Sequence, residues 1–224
     1  MERNSFFTAP RKRKGALKSD MTFSEKKINE LRLAIKNFMS EKRYAHTLGV
    51  EATASELFRE ISDESDAEIR CAALLHDIAK EADGDELISV LKATDGITDE
   101  DIASEAAHHA LAAPCFVKRY FPEYASEKVL SAVFNHTTGA QDMSLFDEIV
   151  FLADYIEPGR LYESCRVCRE LLYPALKQAK SRDERIAAIH DATKRALLDT
   201  ISKLTEWGKR INPRTISAYE FYAK

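Results

Sequence analysis

Helical signals recur along this chain with almost nothing to compete with them. Thr22 and Glu25 form a capping-box pattern, and behind it Ile28, Leu31, Ile35 and Phe38 repeat at helical spacing. A second helix is predicted from about Glu41 to Ile61, with Leu48, Leu57, Phe58 and Ile61 turned inward. Gly49 within it costs about 1 kcal/mol relative to alanine. Ser65 and Glu68 form another box ahead of "IRCAALLHDIAKEA", Gly84 ends that segment, and Leu87, Ile88 and Leu91 predict a short helix after it. From Thr98 a helical pattern reaches His109 and is interrupted or kinked at Pro114. Ser126 to His136 reads as a helix closed by Gly139, and Ser144 caps "LFDEIVFLADYI", which Pro158 and Gly159 stop. Ser181 and Glu184 open the last long helix, where Ile186, Ile189, Leu197, Ile201 and Leu204 share a face broken by the polar Thr193. Alternation of β-branched residues is essentially absent. The fold class is therefore all-α, with one compact helical domain over about residues 22–210. A flexible basic tail at 1–21 precedes it and a C-terminal segment at 211–224 follows.

Composition narrows the function. A length of 224 residues with 45% hydrophobic and 31% charged residues suits a soluble globular domain. No apolar run reaches the roughly 18 residues of a membrane span, and the N-terminus lacks the apolar core of a signal peptide, so a cytoplasmic location is expected. A net charge of −4 gives no general attraction for nucleic acid; "RKRK" at 11–14 is a local exception, read as part of a solvated tail. Cys165 and Cys168 form a lone C-x-x-C with no second pair to complete a zinc site, and are read as thiols in a reducing compartment. The oligomeric state is open, a homodimer included.

Six histidines occur, and several lie in apolar helical surroundings where packing residues belong. His46 is among Leu48 and Ala52, His76 and Asp77 end the apolar run of "CAALLHD", and His136 ends a helix. Asp154 stands between Leu152 and Ile156. Singly, each is explained by a hydrogen bond inside a core. Together they are costly, because an unpaired buried carboxylate costs several kcal/mol. One divalent metal held by His46, His76, Asp77 and Asp154 accounts for all four. Imidazole and carboxylate donors in this ratio favour Fe, Mn, Co, Ni or Zn over Ca. Adjacent helical residues point about 100° apart, so His76 and Asp77 share a cation only with ligands from neighbouring helices.

With these residues in the order His46, His76-Asp77, Asp154, the chain resembles the HD-domain superfamily of metal-dependent phosphohydrolases. The strings "RYAHTLGVEATA", "AALLHDIAKE", "FNHTTG" and "SLFDEIVFLADYIEPGR" are similar to its YqeK-like branch, the symmetrical bis(5′-nucleosyl)-tetraphosphatases, over about residues 43–160. The resemblance implies a helical HD domain and a metal, usually iron, on His46, His76, Asp77 and Asp154. It implies catalytic roles for Asp77, His109 and His136. It implies substrate contacts from Arg43, Asp77, His109, His136, Thr137, Asp154 and Arg160. His109 is preferred to His108 because Ala110, Ala112 and Ala113 then fall where the family has small residues. By likeness to dinuclear members of the superfamily, the resemblance also implies that His109 and His136 would hold a second ion bridged by Asp77. Lys80, one turn beyond His76, is a further candidate for the substrate. The C-terminus departs from the family, with Tyr219 and Glu220 where Arg and Asn are usual.

The activity implied is hydrolysis of diadenosine tetraphosphate to two ADP, with a dinucleoside polyphosphate or ADP-like nucleotide as ligand. The alternatives are another HD phosphohydrolase, acting on (p)ppGpp, dNTPs or nucleoside monophosphates, and a nucleotide-binding protein without turnover. "HTTG" and "LADYIEPGR" argue against the first, and a complete ligand set against the second.

Overall fold

Ser24 caps the first helix, its side chain accepting the amide of Lys27; Thr22 lies outside the described residues. The computed structural model describes residues 23–224, so the tail at 1–21 also falls outside them. Helix α1 covers Glu25–Ile35 and buries Ile28, Leu31 and Ile35, and Lys36–Phe38 tighten into a 3₁₀ turn. Helix α2 covers Glu41–Ile61, the range its apolar spacing predicts, and is capped by Ser40. Leu57 and Ile61 are buried in it, whereas Leu48 and Phe58 are only partly so.

Three expected elements differ. Helix α3, Ala67–Leu75, takes Asp66 at its cap position with no side-chain capping bond, so Ser65 and Glu68 form no box. Asp66 is instead paired with Arg59 at 2.7 Å, while Glu68 accepts a bond from Ser126. The helix also stops at Leu75, with His76 as its last cap. From there Ile78 bonds back to Leu75, Lys80 to Asp77 and Ala82 to Ala79, so the chain runs on in tight three-residue turns. Gly84 begins helix α4, Gly84–Lys92, under the Asp83 cap rather than ending what precedes it.

Beyond α4, the pattern from Thr98 breaks before His108. A short α5, Asp99–Ile102, closes Thr98 and Asp101 into a capping box. There Ser104 Oγ donates to the Glu100 carbonyl and His108 Nε2 to that of Ile102, occupying acceptors a continuous helix would use. Helix α6, His108–Tyr120, then runs through Pro114 without ending.

Helices α7, Glu127–Asn135, and α8, Leu145–Ile156, follow their Ser126 and Ser144 caps as the sequence predicts. Helix α9, Glu163–Gln178, was not predicted; it buries Cys165, Cys168, Leu172 and Leu176. Helix α10, Arg182–Glu206, starts at Ser181, and α11, Pro213–Tyr222, packs its buried Ala218 beside it. Among the described residues there is no strand, and no helix is long and apolar enough to cross a membrane.

The packing places the site. Helix α2 lies on α3 and α8, and α7 lies on α3, α6 and α8. Helix α8 is buried over most of its length. The C-terminal ends of α3, α7 and α8 therefore meet beside the first half of α2.

Candidate metal centre

Helix C-termini leave carbonyls without intrahelical partners, and two histidines here use them. His76 Nδ1 donates to the Ala73 carbonyl at 2.6 Å, and His136 Nδ1 to that of Val133 at 2.8 Å. The same device, a ring bonded three residues back, fixes both. His46 Nδ1 faces Glu157 Oε1 at 3.0 Å. Carbonyls and carboxylates only accept, so all three rings carry a proton on Nδ1, and Nε2 is the atom each can offer to a cation.

Those three Nε2 atoms converge. His46 Nε2 lies 2.9 Å from Asp154 Oδ1, and His76 Nε2 lies 3.3 Å from Asp77 Oδ2 and 3.8 Å from Asp154 Oδ1. The other oxygen of Asp77, Oδ1, faces His109 Nε2 at 3.4 Å and His136 Nε2 at 3.5 Å. Asp77 thus stands between two groups of donors. His46, His76 and Asp77 form one and Asp77, His109 and His136 the other, while His76, His136 and Asp154 form a third set that joins them, each with ligand atoms within 4.8 Å of one another. Every residue the sequence nominates for the metal lies in this cluster. His108 does not: its ring is turned to Ile102.

The donor set fits a cation. Nε2 of His46 and of His76 are buried and make no well-aligned hydrogen bond, although carboxylate oxygens of Asp154 and Asp77 lie 2.9 Å and 3.3 Å away, an arrangement that suits a shared cation.

Residues 43–159 match the HD domain family, and these limits enclose the whole cluster. The chain belongs to the HD-domain family. Two curated relatives of this HD-domain protein carry the name symmetrical bis(5′-nucleosyl)-tetraphosphatase. That of Halalkalibacterium halodurans is 34% identical, covering 83% of this chain and 91% of the relative. That of Staphylococcus aureus is 31% identical, with the same coverage of 83% and 91%. A crystal structure from Clostridium acetobutylicum, described as a predicted HD superfamily hydrolase involved in NAD metabolism, superposes with a TM-score of 0.74 at 30% identity. It covers 87% of this chain and 96% of its own.

Electrostatics in the HD centre follow from burial and close pairing. Burial raises the Asp77 carboxyl, but His76, His136 and His109 around it hold it well below the usual carboxylate range. Burial likewise opposes ionisation of Asp154, and the Arg160 guanidinium and His46 outweigh it. Burial lowers His76, yet Asp77 beside it brings the ring above its ordinary value. The field that draws a proton to His76 draws a cation to the same place. Burial and the Lys80 ammonium hold His109 well below the imidazole range, which keeps it neutral and able to ligate.

Cations and donors surround the cluster. Arg43 Nη1 donates to Asp77 Oδ2 at 2.7 Å, and Arg160 pairs with Asp154 through its side chain and its carbonyl. Lys80 Nζ lies 3.0 Å and Thr137 Oγ1 3.0 Å from His109 Nε2.

Sequence reasoning passed over the residues that hold these groups. Glu157, 4% exposed, fixes His46 and accepts the Gly159 amide at 2.6 Å. Arg169 on α9 donates to the carbonyls of Ile156, Glu157 and Arg160, tying down the turn that presents Arg160. A cavity of 320 Å³ opens from His136 and Asp154 towards Lys203, Trp207, Asn212 and Thr215. The chain after α10 therefore reaches the site through Asn212 and Thr215, while Tyr219 and Glu220 are not among the residues lining that cavity.

Proposed function

We propose that this HD-domain protein hydrolyses dinucleoside tetraphosphates symmetrically, Ap4A and water giving two ADP. His46, His76, Asp77 and Asp154 hold a divalent transition metal, and iron is the ion we assign, with Mn, Co, Ni and Zn matching the same donors. What supports this above all is the convergence of the buried Nε2 atoms of His46 and His76 on the carboxylates of Asp77 and Asp154. The names of the curated relatives support the substrate.

When bound, a divalent metal supplies a Lewis acid for the phosphoryl oxygen and acidifies water at neutral pH. The chain supplies the rest. Arg43 and Arg160 offset the negative charge that grows on the phosphoryl group and on the departing ADP. Their ion pairs with Asp77 and Asp154 hold both guanidinium groups in place beforehand. His109 and His136 stand across Asp77 from His46, where they would orient water and phosphate or, with Asp77, hold a second ion. Lys80 and Thr137 contact His109 and bind the substrate's phosphates from that side. The products are set by which anhydride breaks, so one recognised ADP half is enough to define a central cut.

The test is incubation of the purified protein with Ap4A and Fe(II), Mn(II) or Co(II), with and without chelator, and separation of products by ion exchange. ADP as the sole product, lost on chelation, is expected. AMP plus ATP, or no cleavage with any metal, contradicts the reading.

A further inference from the structure

Two grooves reach the metal centre from different sides. The first, described above, meets it at His136 and Asp154 and contains Lys80. The second, of 890 Å³, meets it at His46 and is lined by Lys42, Arg43, Arg160, Leu161 and Tyr162. Arg160 and Tyr162 are common to both.

The second groove is built for an anion with an apolar end. Arg43 Nε is buried with no hydrogen-bond partner, although its Nη1 is committed to Asp77. The two acids along the groove are already engaged, Glu81 by the amide and hydroxyl of Ser40 and Glu157 by His46 and Gly159. At the outer end Leu161 is 87% and Tyr162 57% exposed, a large apolar side chain and an aromatic ring side by side in solvent. No residue of the cluster requires that exposure.

A substrate cut at its centre has two equal halves: one keeps the reacting phosphorus, and the other leaves from the side opposite the attacking water. We infer that the groove between Lys42 and Tyr162 receives the second nucleoside diphosphate half, the one that departs. Arg43 and Lys42 meet its phosphates, and Leu161 and Tyr162 form the platform for its base. This rests on the proposed symmetrical hydrolysis and adds to it a second nucleotide subsite.

The experiment compares Ap4A with adenosine 5′-tetraphosphate, which has the same four phosphates and no second nucleoside. Hydrolysis of its central anhydride gives ADP and pyrophosphate. Leu161→Asp puts a carboxylate on the platform at a fully solvated position. The expected result is a fall of about tenfold or more in kcat/KM for Ap4A, in line with the loss of one base-stacking contact. Turnover of adenosine 5′-tetraphosphate should change less than about twofold. Equilibrium dialysis with ADP should find two sites per chain in the wild type and one in Leu161→Asp. Equal effects on both substrates, or none on either, together with a single ADP site in the wild type, overturn the second subsite alone. Failure of the wild type to form ADP from Ap4A removes the symmetrical hydrolysis, and the subsite with it.

Discussion

A Cβ on Gly49 would stand 2.5 Å from Oε2 of Glu157, so the glycine in the middle of α2 is the space into which that carboxylate fits. Glycine in a helix interior costs about 1 kcal/mol against alanine. Here it lets a buried carboxylate reach His46 Nδ1 and leave Nε2 free for the centre.

Gly49→Ala and Glu157→Ala should therefore weaken metal retention by about 10- to 100-fold, the usual scale for a group that orients a ligating histidine. Competition against a calibrated chelator measures it. Unchanged metal affinity in both variants would show that Glu157 serves only the turn at Gly159.

Arg160→Ala should lower kcat for Ap4A by about 10²–10³-fold, the scale of one lost transition-state donor. Metal content should stay within about twofold of wild type. Steady-state kinetics with metal analysis of the same samples checks both halves of this statement.

His190 lies outside the cluster and pairs at 2.8 Å with Glu148, whose side chain is fully buried. Removing it leaves that carboxylate without its main partner. His190→Ala should cost about 1–3 kcal/mol of stability, seen in denaturant unfolding, with turnover unchanged. A large loss of kcat in folded protein would bring His190 into the mechanism.

Acid should loosen the C-terminal segment through Asp101. Burial raises this carboxyl, but hydrogen bonds from Arg214 and Asn212 outweigh it and bring it from 3.8 to about 2. The folded value lies below the unfolded one. Its contribution is therefore complete above about pH 5 and lost as pH falls towards 2, amounting to about 1–2 kcal/mol after allowance for the partly exposed Arg214. Unfolding of Asp101→Asn measured at pH 5 and pH 2.5 should lose less stability over that interval than wild type. Equal losses would place the pair outside the stability of the fold.

The helices were legible where an apolar stripe and a side-chain cap coincide, as at Ser126, Ser144 and Ser181. Helix α9 was hidden because two positions of its stripe are Cys165 and Cys168, its cap position is Tyr162 without a capping bond, and Pro174 lies inside it. The stop at His76 was hidden for a different reason. "LLHDIAK" continues an apolar helical pattern, and only the turn bonds that follow the imidazole's own contact with Ala73 end it.

The centre was legible as chemistry and not as architecture. His46, His76, Asp77 and Asp154 stand out one by one as polar residues in apolar stretches. Their supports do not. Glu157 contacts His46 across 111 residues, and Arg169 lies in a stretch the sequence assigns to no helix, one more charge until its three carbonyl partners are seen. Asn212 and Thr215 reach the cavity only because α10 returns the chain to it.

The most direct measurement takes Asp77, which faces His76 with one oxygen and His109 and His136 with the other. Metal content and Ap4A turnover should be determined on the same preparation of Asp77→Ala, beside wild type and with folding verified by circular dichroism. The account predicts that both are lost together. A folded Asp77→Ala protein that turns over Ap4A at the normal rate would contradict it.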